Sequence, residues 1–150
     1  MTAIQSTQGI VAFLDILGYQ NFIDNNNVKK AVEILDNVFA NLKEAVIEDC
    51  NKLWTKSDKG LAIFENVKIQ TLSDSIIIHL ANSGKTSSWR DWTIVFLTVR
   101  IVQRRLFDNG FPSRGAVASG EYFFRDGFLV GLPFMDAYRW TQKLEFAGVV

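Results

Sequence analysis

The sequence predicts an α/β fold, an α+β sandwich of the ferredoxin-like kind with a mostly antiparallel central sheet and flanking helices. Three observations carry this. Apolar runs and helical periodicities follow one another in the order β-α-(α)-β-β-α-β-β-α, and two strand–helix–strand passages around an antiparallel hairpin build such a sandwich. Apolar residues make up 48% and aromatic residues 13% of a 150-residue chain, enough for one hydrophobic core. No internal repeat, low-complexity segment or linker interrupts it, so residues 1–150 read as a single domain.

The first strand is the apolar run Gly9 to Ile16, broken only by Asp15 and followed by Gly18. Its length and β-branching suggest a central strand covered on both faces. Asn25-Asn26-Asn27 is a turn and cap signal. Val32, Leu35, Phe39, Leu42 and Val46 then recur at spacings of three and four, giving one helical stripe expected to pack on the core. Lys56 to Gly60 is polar and reads as a loop. Two strands, roughly Ala62 to Leu72 and Ser75 to Leu80, are joined by a tight turn at Ser73-Asp74. Ser88 with Asp91 resembles a capping box, and the helix it opens runs to the stop signal Asn109-Gly110. Apolar residues wrap most of that helix, so it is expected to be largely buried. Arg114 to Phe124 and Phe128 to Gly131 form a hairpin around Asp126-Gly127. Pro133 opens the last helix, with Ala137, Trp140 and Leu144 on one side.

Composition narrows the function. Sixteen basic and sixteen acidic residues cancel, which is unlike the basic footprint of a nucleic-acid binder. Cys50 is the only cysteine and His79 the only histidine, so an intrachain disulfide is impossible and a zinc site of the Cys/His kind is not expected. His79 lies inside Ile76-Ile77-Ile78-His79-Leu80 and reads as a strand histidine with a structural or surface role rather than a catalytic base. The start Met-Thr-Ala-Ile-Gln lacks the features of a signal peptide. The most apolar helical stretch, Trp92 to Val102, contains Arg100 and is too short to span a bilayer. A cytoplasmic protein with no membrane segment is expected.

Two acids stand out. A carboxylate at the end of an apolar strand is costly unless it is solvated, paired or metal-bound, and Asp15 is in that position. Asp74 sits at a hairpin tip just before three isoleucines. Each is also the residue type that ends strands and forms turns through its own backbone hydrogen bonds. If the first strand neighbours the hairpin in the sheet, the two carboxylates meet and repel unless cations lie between them. Hard divalent ions suit such oxygen ligands.

Around these acids the sequence resembles the class III adenylyl and guanylyl cyclases. Phe13-Leu14-Asp15-Ile16-Leu17-Gly18-Tyr19 is similar to their F-x-D-I-x-G-F strand, and Thr71-Leu72-Ser73-Asp74 sits where they have an I-G-D hairpin. Arg114-Gly115-Ala116-Val117-Ala118-Ser119-Gly120 is similar to R-x-G-I-x-x-G, and Gly131 and Arg139 have the spacing of G-x-x-x-N-x-x-x-R. The resemblance covers about residues 10 to 145 in the same motif order. It implies the class III cyclase fold, with a nucleoside triphosphate substrate and two Mg²⁺ or Mn²⁺ ions per site held by Asp15, Asp74 and the Ile16 carbonyl. It implies that the backbone at Gly18 and Tyr19 cradles phosphate, and that Arg139 acts catalytically across a homodimer interface on charge built up in the transition state. It also implies a further strand after the last helix. Only Val149-Val150 remains for it, so the domain is expected to lack part of its C-terminal strands.

The departures concern the base. Gln70 and Phe128 stand where adenylyl cyclases have a Lys and an Asp, and Met135 replaces the helix Asn. An amide and an aromatic ring could serve a pyrimidine. Leu-Asp-Ile-Leu-Gly, Leu-Ser-Asp-Ser-Ile, Arg-Gly-Ala and Ala137-Tyr138 look most like the bacterial Pycsar antiphage cyclases, which make cyclic UMP or cyclic CMP. This implies a uridylate or cytidylate cyclase. Lys68 and Arg114, projecting from strands near the acids, are further candidate substrate contacts.

Overall fold

Thr7–Ile16 forms β1, and Ile10, Val11, Ala12 and Leu14 are fully buried there, as a strand covered on both faces requires. The computed structural model describes residues 6–40, 42–53, 64 and 66–150. Helices α1 (Tyr19–Asp24), α2 (Val28–Phe39) and α3 (Leu42–Leu53) follow, then β2 (Lys68–Leu72), β3 (Ser75–Ala81) and α4 (Trp89–Asp108). The chain continues through β4 (Ser113–Arg125), β5 (Phe128–Gly131), α5 (Leu132–Lys143) and β6 (Gly148–Val149).

The described residues form a six-stranded sheet, five strands in the order β2-β3-β1-β4-β5 and the sixth, β6, paired with β4 off that path. β1 lies between β3 and β4, antiparallel to both. The 13-residue β4 outruns its neighbours, so β5 pairs with its C-terminal part while β6 pairs in parallel with Arg114 and Gly115. Gly115 is obligatory there, since a Cβ would lie 2.5 Å from the Phe13 carbonyl oxygen and against the Leu14 side chain.

Strand alternation divides the interior in two. Ile10, Ala12, Leu14 and Ile16 face the larger core with Ile76, Ile78 and the buried side of α4. Val11 and Phe13 face the smaller core with Ile77, Ala116, Tyr122 and Ala137 of α5. Burying one such aliphatic side chain is worth about 1.5–3 kcal/mol, so truncating any of these β1 residues should destabilise the fold by at least that order.

Local signals act as their chemistry dictates. The Asn27 Oδ1 accepts the Lys30 N–H at 2.9 Å and caps α2. Ser88 and Asp91 form a reciprocal capping box on α4, and Gly110, at φ 82°, follows its Asn109 C-cap. Asp126 and Gly127 both have positive φ, the pattern of a two-residue hairpin turn.

Four expectations change. The stripe Val32 to Val46 is not one helix: Ala40 is extended (φ −57°, ψ 131°) and separates α2 from α3. This resets the facing direction, so Val32 is exposed while Ala31, Val38, Leu42, Val46 and Cys50 are buried. The helix α4 is buried on one side only, with Trp89, Phe96 and Phe107 left exposed, because it covers the sheet from outside rather than filling a core. Trp140 is exposed although Ala137 and Leu144 are buried, because Pro133, Ala137 and Thr141 form the row that meets the sheet. The strand expected from Ala62 begins at Lys68, since the Val67 N–H donates to the Phe64 carbonyl in a turn. The expected loop at 56–60 and the start of that strand at 62–63 lie outside the described residues. Among the described residues no helix is long and apolar enough to cross a membrane.

Candidate active site at the end of β1

Asp15 continues the Val11–Phe13 row, so it emerges on the α5 side of the sheet. In register it opposes Ser75 of β3 and Arg114 of β4. Beyond it, the Ile16 N–H donates to the Asp74 carbonyl at 2.8 Å and the Leu17 N–H to the Pro112 carbonyl at 2.9 Å. The β1 end is thus tied to the β2–β3 turn, where Ser73 has φ 56°. Asp15 and Asp74 therefore share one corner of the sheet. Ser75 Oγ donates to Asp74 Oδ1 at 3.4 Å, a long hydrogen bond.

Arg114 is engaged within the chain. Its Nε donates to Asp15 Oδ2 at 2.9 Å, one Nη to the Leu144 carbonyl at 2.7 Å and the other to Gln142 Oε1 at 3.4 Å. The ion pair is mostly shielded, with the two side chains 22% and 15% exposed, so its attraction exceeds that of a surface pair. One guanidinium thereby joins the strand-end acid to the C-terminal end of α5, where carbonyls are unsatisfied. This link was not read from the sequence; the antiparallel β1–β4 register would have supplied it.

Gly18 adopts a left-handed φ of 74° at the start of α1, a conformation that a Cβ would strain. The Tyr19 ring turns toward the larger core beside Phe22, leaving its backbone at the helix start. Lys68 is exposed and Gln70 half-buried on β2, at one end of the strand order. Phe128, 63% exposed, begins β5 at the other end. Three strands lie between them at about 4.8 Å per step, so one chain cannot close Gln70 and Phe128 on the same base. Arg139 is exposed, 3.8 Å from Asp136, on the side of α5 away from its sheet-facing row. Asp15, Ile16, Asp74, Gly18 and Arg114 are therefore brought together, whereas Arg139, Gln70 and Phe128 lie apart.

Asp15, Asp74 and the Ile16 carbonyl are hard oxygen donors, which suit Mg²⁺ or Mn²⁺. Among the described residues no cluster of three or more His, Cys, Asp or Glu could hold a metal. Such an ion would take its remaining ligands from water and phosphate, as Mg²⁺ commonly does. A cavity of about 540 Å³ between α3 and α4, lined by Leu97, Arg100 and Arg105 among others, belongs to the opposite side of the sheet.

No family model matches the chain, and no curated protein matches it in sequence. Solved structures do match. The adenylyl cyclase CyaB from P. aeruginosa superposes with a TM-score of 0.61 at 12% identity, over 97% of this chain and 76% of that one. A class III adenylyl cyclase-like ATP-binding protein from Pseudomonas aeruginosa gives 0.64 at 13% identity, over 96% of this chain and 33% of that one. The catalytic core of a rhodopsin-guanylyl cyclase with converted specificity, in complex with ATPalphaS, gives 0.60 at 12% identity, over 97% and 76%. With β1 between two antiparallel neighbours and helices on both faces, the chain has the α/β fold of the class III nucleotidyl cyclase catalytic domains.

Proposed function

We propose that this chain is a cytoplasmic nucleotidyl cyclase that converts a nucleoside triphosphate, UTP by preference, into its 3′,5′-cyclic nucleotide and pyrophosphate. The observation that carries this reading is the junction of the β1 end with the β2–β3 turn, which brings the Asp15 and Asp74 positions to one corner of a sheet with the cyclase fold. In the reaction the ribose 3′-oxygen bonds to the α-phosphorus as the bond to the bridging oxygen breaks. Pyrophosphate leaves and the hydroxyl proton passes to solvent.

Asp15, Asp74 and the Ile16 carbonyl would hold two divalent cations. Bound there, Mg²⁺ or Mn²⁺ supplies charge neutralisation and a more acidic ribose hydroxyl. The Gly18–Tyr19 backbone presents N–H groups to phosphate. Arg114 orients Asp15 and, with Lys68, adds positive charge near the substrate. Arg139 neutralises transition-state charge from a second chain, which its outward position on α5 favours. Gln70 pairs with the carbonyl and N–H edge of uracil while Phe128 packs on a base face. Their separation within one chain likewise favours a homodimer. The exposed Phe128, Val130, Leu132, Met135 and Tyr138 of β5 and α5 offer an apolar surface for it. A role in antiphage signalling follows if the product is cyclic UMP or cyclic CMP.

The test is incubation of the protein with each of the four NTPs and Mn²⁺, with the product identified by mass. Cyclic UMP should form fastest, cyclic CMP next, and Asp15→Asn or Asp74→Asn should abolish both while leaving the fold intact. Faster cyclic AMP or cyclic GMP formation refutes the pyrimidine preference. Near-wild-type activity in either variant refutes the metal assignment.

One observation favours a second reading, a nucleotide-binding module without turnover: Arg114 already occupies Asp15 Oδ2. NTP binding without any product would select it.

A further inference from the structure

Helices α3 and α4 are tied together by Arg105, one of whose Nη groups donates to Asp49 Oδ2 at 2.9 Å. Beside that bridge lies the cavity of about 540 Å³, within the range of small-molecule sites, roughly 300–1,000 Å³. Its Leu97 and Ile101 pack on the larger core, whereas Asp15 emerges on the α5 side of the sheet. The cavity is therefore separate from the candidate active site.

Its walls define a charge. Lys52, Arg100, Arg104 and Arg105 line it as cations, facing the carboxylates of Asp49 and Asp108. Beyond its bond from Arg105, Asp49 accepts from Lys52 at 3.4 Å, and Lys52 also pairs with Glu48 at 2.9 Å. Both Asp108 oxygens accept from Arg104 Nε, at 2.9 and 2.7 Å. Three carboxylates thus match three cations. Arg100 is left over: it is exposed, lines the cavity and has no hydrogen-bond or ion-pair partner among the described residues. It also stands four positions before Arg104 on one face of α4, a like-charge spacing that an anion between them relieves. The uncharged wall is aliphatic, formed by the half-buried Leu97 and by Ile101 one turn on, with no aromatic ring among the described lining residues.

We propose that this cavity binds a small amphipathic monoanion, an aliphatic carboxylate, with its headgroup on the Arg100 guanidinium and its chain along Leu97 and Ile101. One uncompensated guanidinium calls for one negative charge, and its planar fork matches a carboxylate through two parallel N–H bonds. An apolar wall without a ring offers nothing to stack on, which suits a flexible chain. The methylene stems of the long cationic side chains extend such a wall. The site does not depend on the cyclase reading.

Octanoate is the probe, with acetate as the charge alone and octanol as the chain alone. Octanoate should shift the backbone amide resonances of Leu97, Arg100 and Ile101 saturably. It should bind at least about tenfold more tightly than acetate, since burying about two methylenes suffices for that, and than octanol, which lacks the charge. Arg100→Gln, at an exposed helix position where Gln is a good helix former, should weaken octanoate about tenfold in calorimetry, as loss of one charged partner predicts. Arg90→Gln removes the same charge from the same helix outside the cavity and should leave the affinity unchanged. Unmoved resonances with octanoate, equal saturation by acetate or octanol, or equal losses in the two variants overturn the proposal. So does full affinity in Arg100→Gln.

Discussion

His79 and Asp91 are both buried, and each ties the stability of the fold to pH in a different range. Burial, then the Lys68 charge, pushes the His79 pKa down to about 4 from its ordinary 6.5. Above pH 6.5 the imidazole is neutral in both folded and unfolded chains and its contribution is full. Between 6.5 and 4 only the unfolded chain takes up the proton, so stability falls as the pH drops; below 4 this group costs nothing more. We expect denaturant midpoints to decline across that window, and His79→Phe to flatten the decline. An unchanged profile in the variant would show that the imidazole is not responsible. For Asp91, burial raises the pKa, but hydrogen bonds from Ser88 and Ser83 outweigh it and hold the carboxyl below 3.8. Its stabilisation is present above the ordinary carboxylate pKa and is lost as the pH falls through the lowered one. The two windows therefore scarcely overlap.

At the scale of the element, Asp91 does more than titrate. Its carboxylate accepts the Ser88 N–H at 2.8 Å and the Ser83 hydroxyl at 3.1 Å, closing the capping box and securing the loop before α4. Asp91→Ala should cost roughly 1–2 kcal/mol in chemical denaturation. Asp91→Asn should cost less, because an amide oxygen can still accept. Equal losses would mean that charge, rather than hydrogen bonding, holds the helix start. The helix carries much of the wall of the larger core, through Ile94, Val95, Val99, Val102 and Leu106, so fraying its first turn loosens packing against β1 and β3.

At the scale of the whole molecule, the positions of Asp15 and Arg139 bear on assembly. Arg139 lies on the outward side of α5, and Arg114 already holds Asp15. If Arg139 serves a second chain's site, Asp15→Asn and Arg139→Ala, each inactive alone, should regain activity on mixing. A mixed dimer has one site with both defects and one with neither, so recovery should approach about a quarter of wild type with random exchange. No recovery despite exchange shown by mass would rule out a shared site.

Much of this protein was legible in its sequence because much of it is local. Asn27, the Ser88/Asp91 box, Asn109-Gly110 and Asp126-Gly127 act on backbone within about four residues, and those signals survive in any fold. The apolar run of β1 dictated a strand buried on both faces wherever its neighbours came from. Tertiary structure decided what lies far apart in the chain. Asp15 meets Arg114 across 99 positions because β1 and β4 pair antiparallel in one register, and a one-residue slip would send Asp15 to the opposite face. The pairing of β1 with both β3 and β4 sets His79 against Tyr122 and leaves Nε2 buried without a hydrogen-bond partner. It also separates Gln70 from Phe128, which a linear reading had joined at one base. Local chemistry fixes which element forms; strand order and register, set by collective packing of both faces, fix which side chains meet.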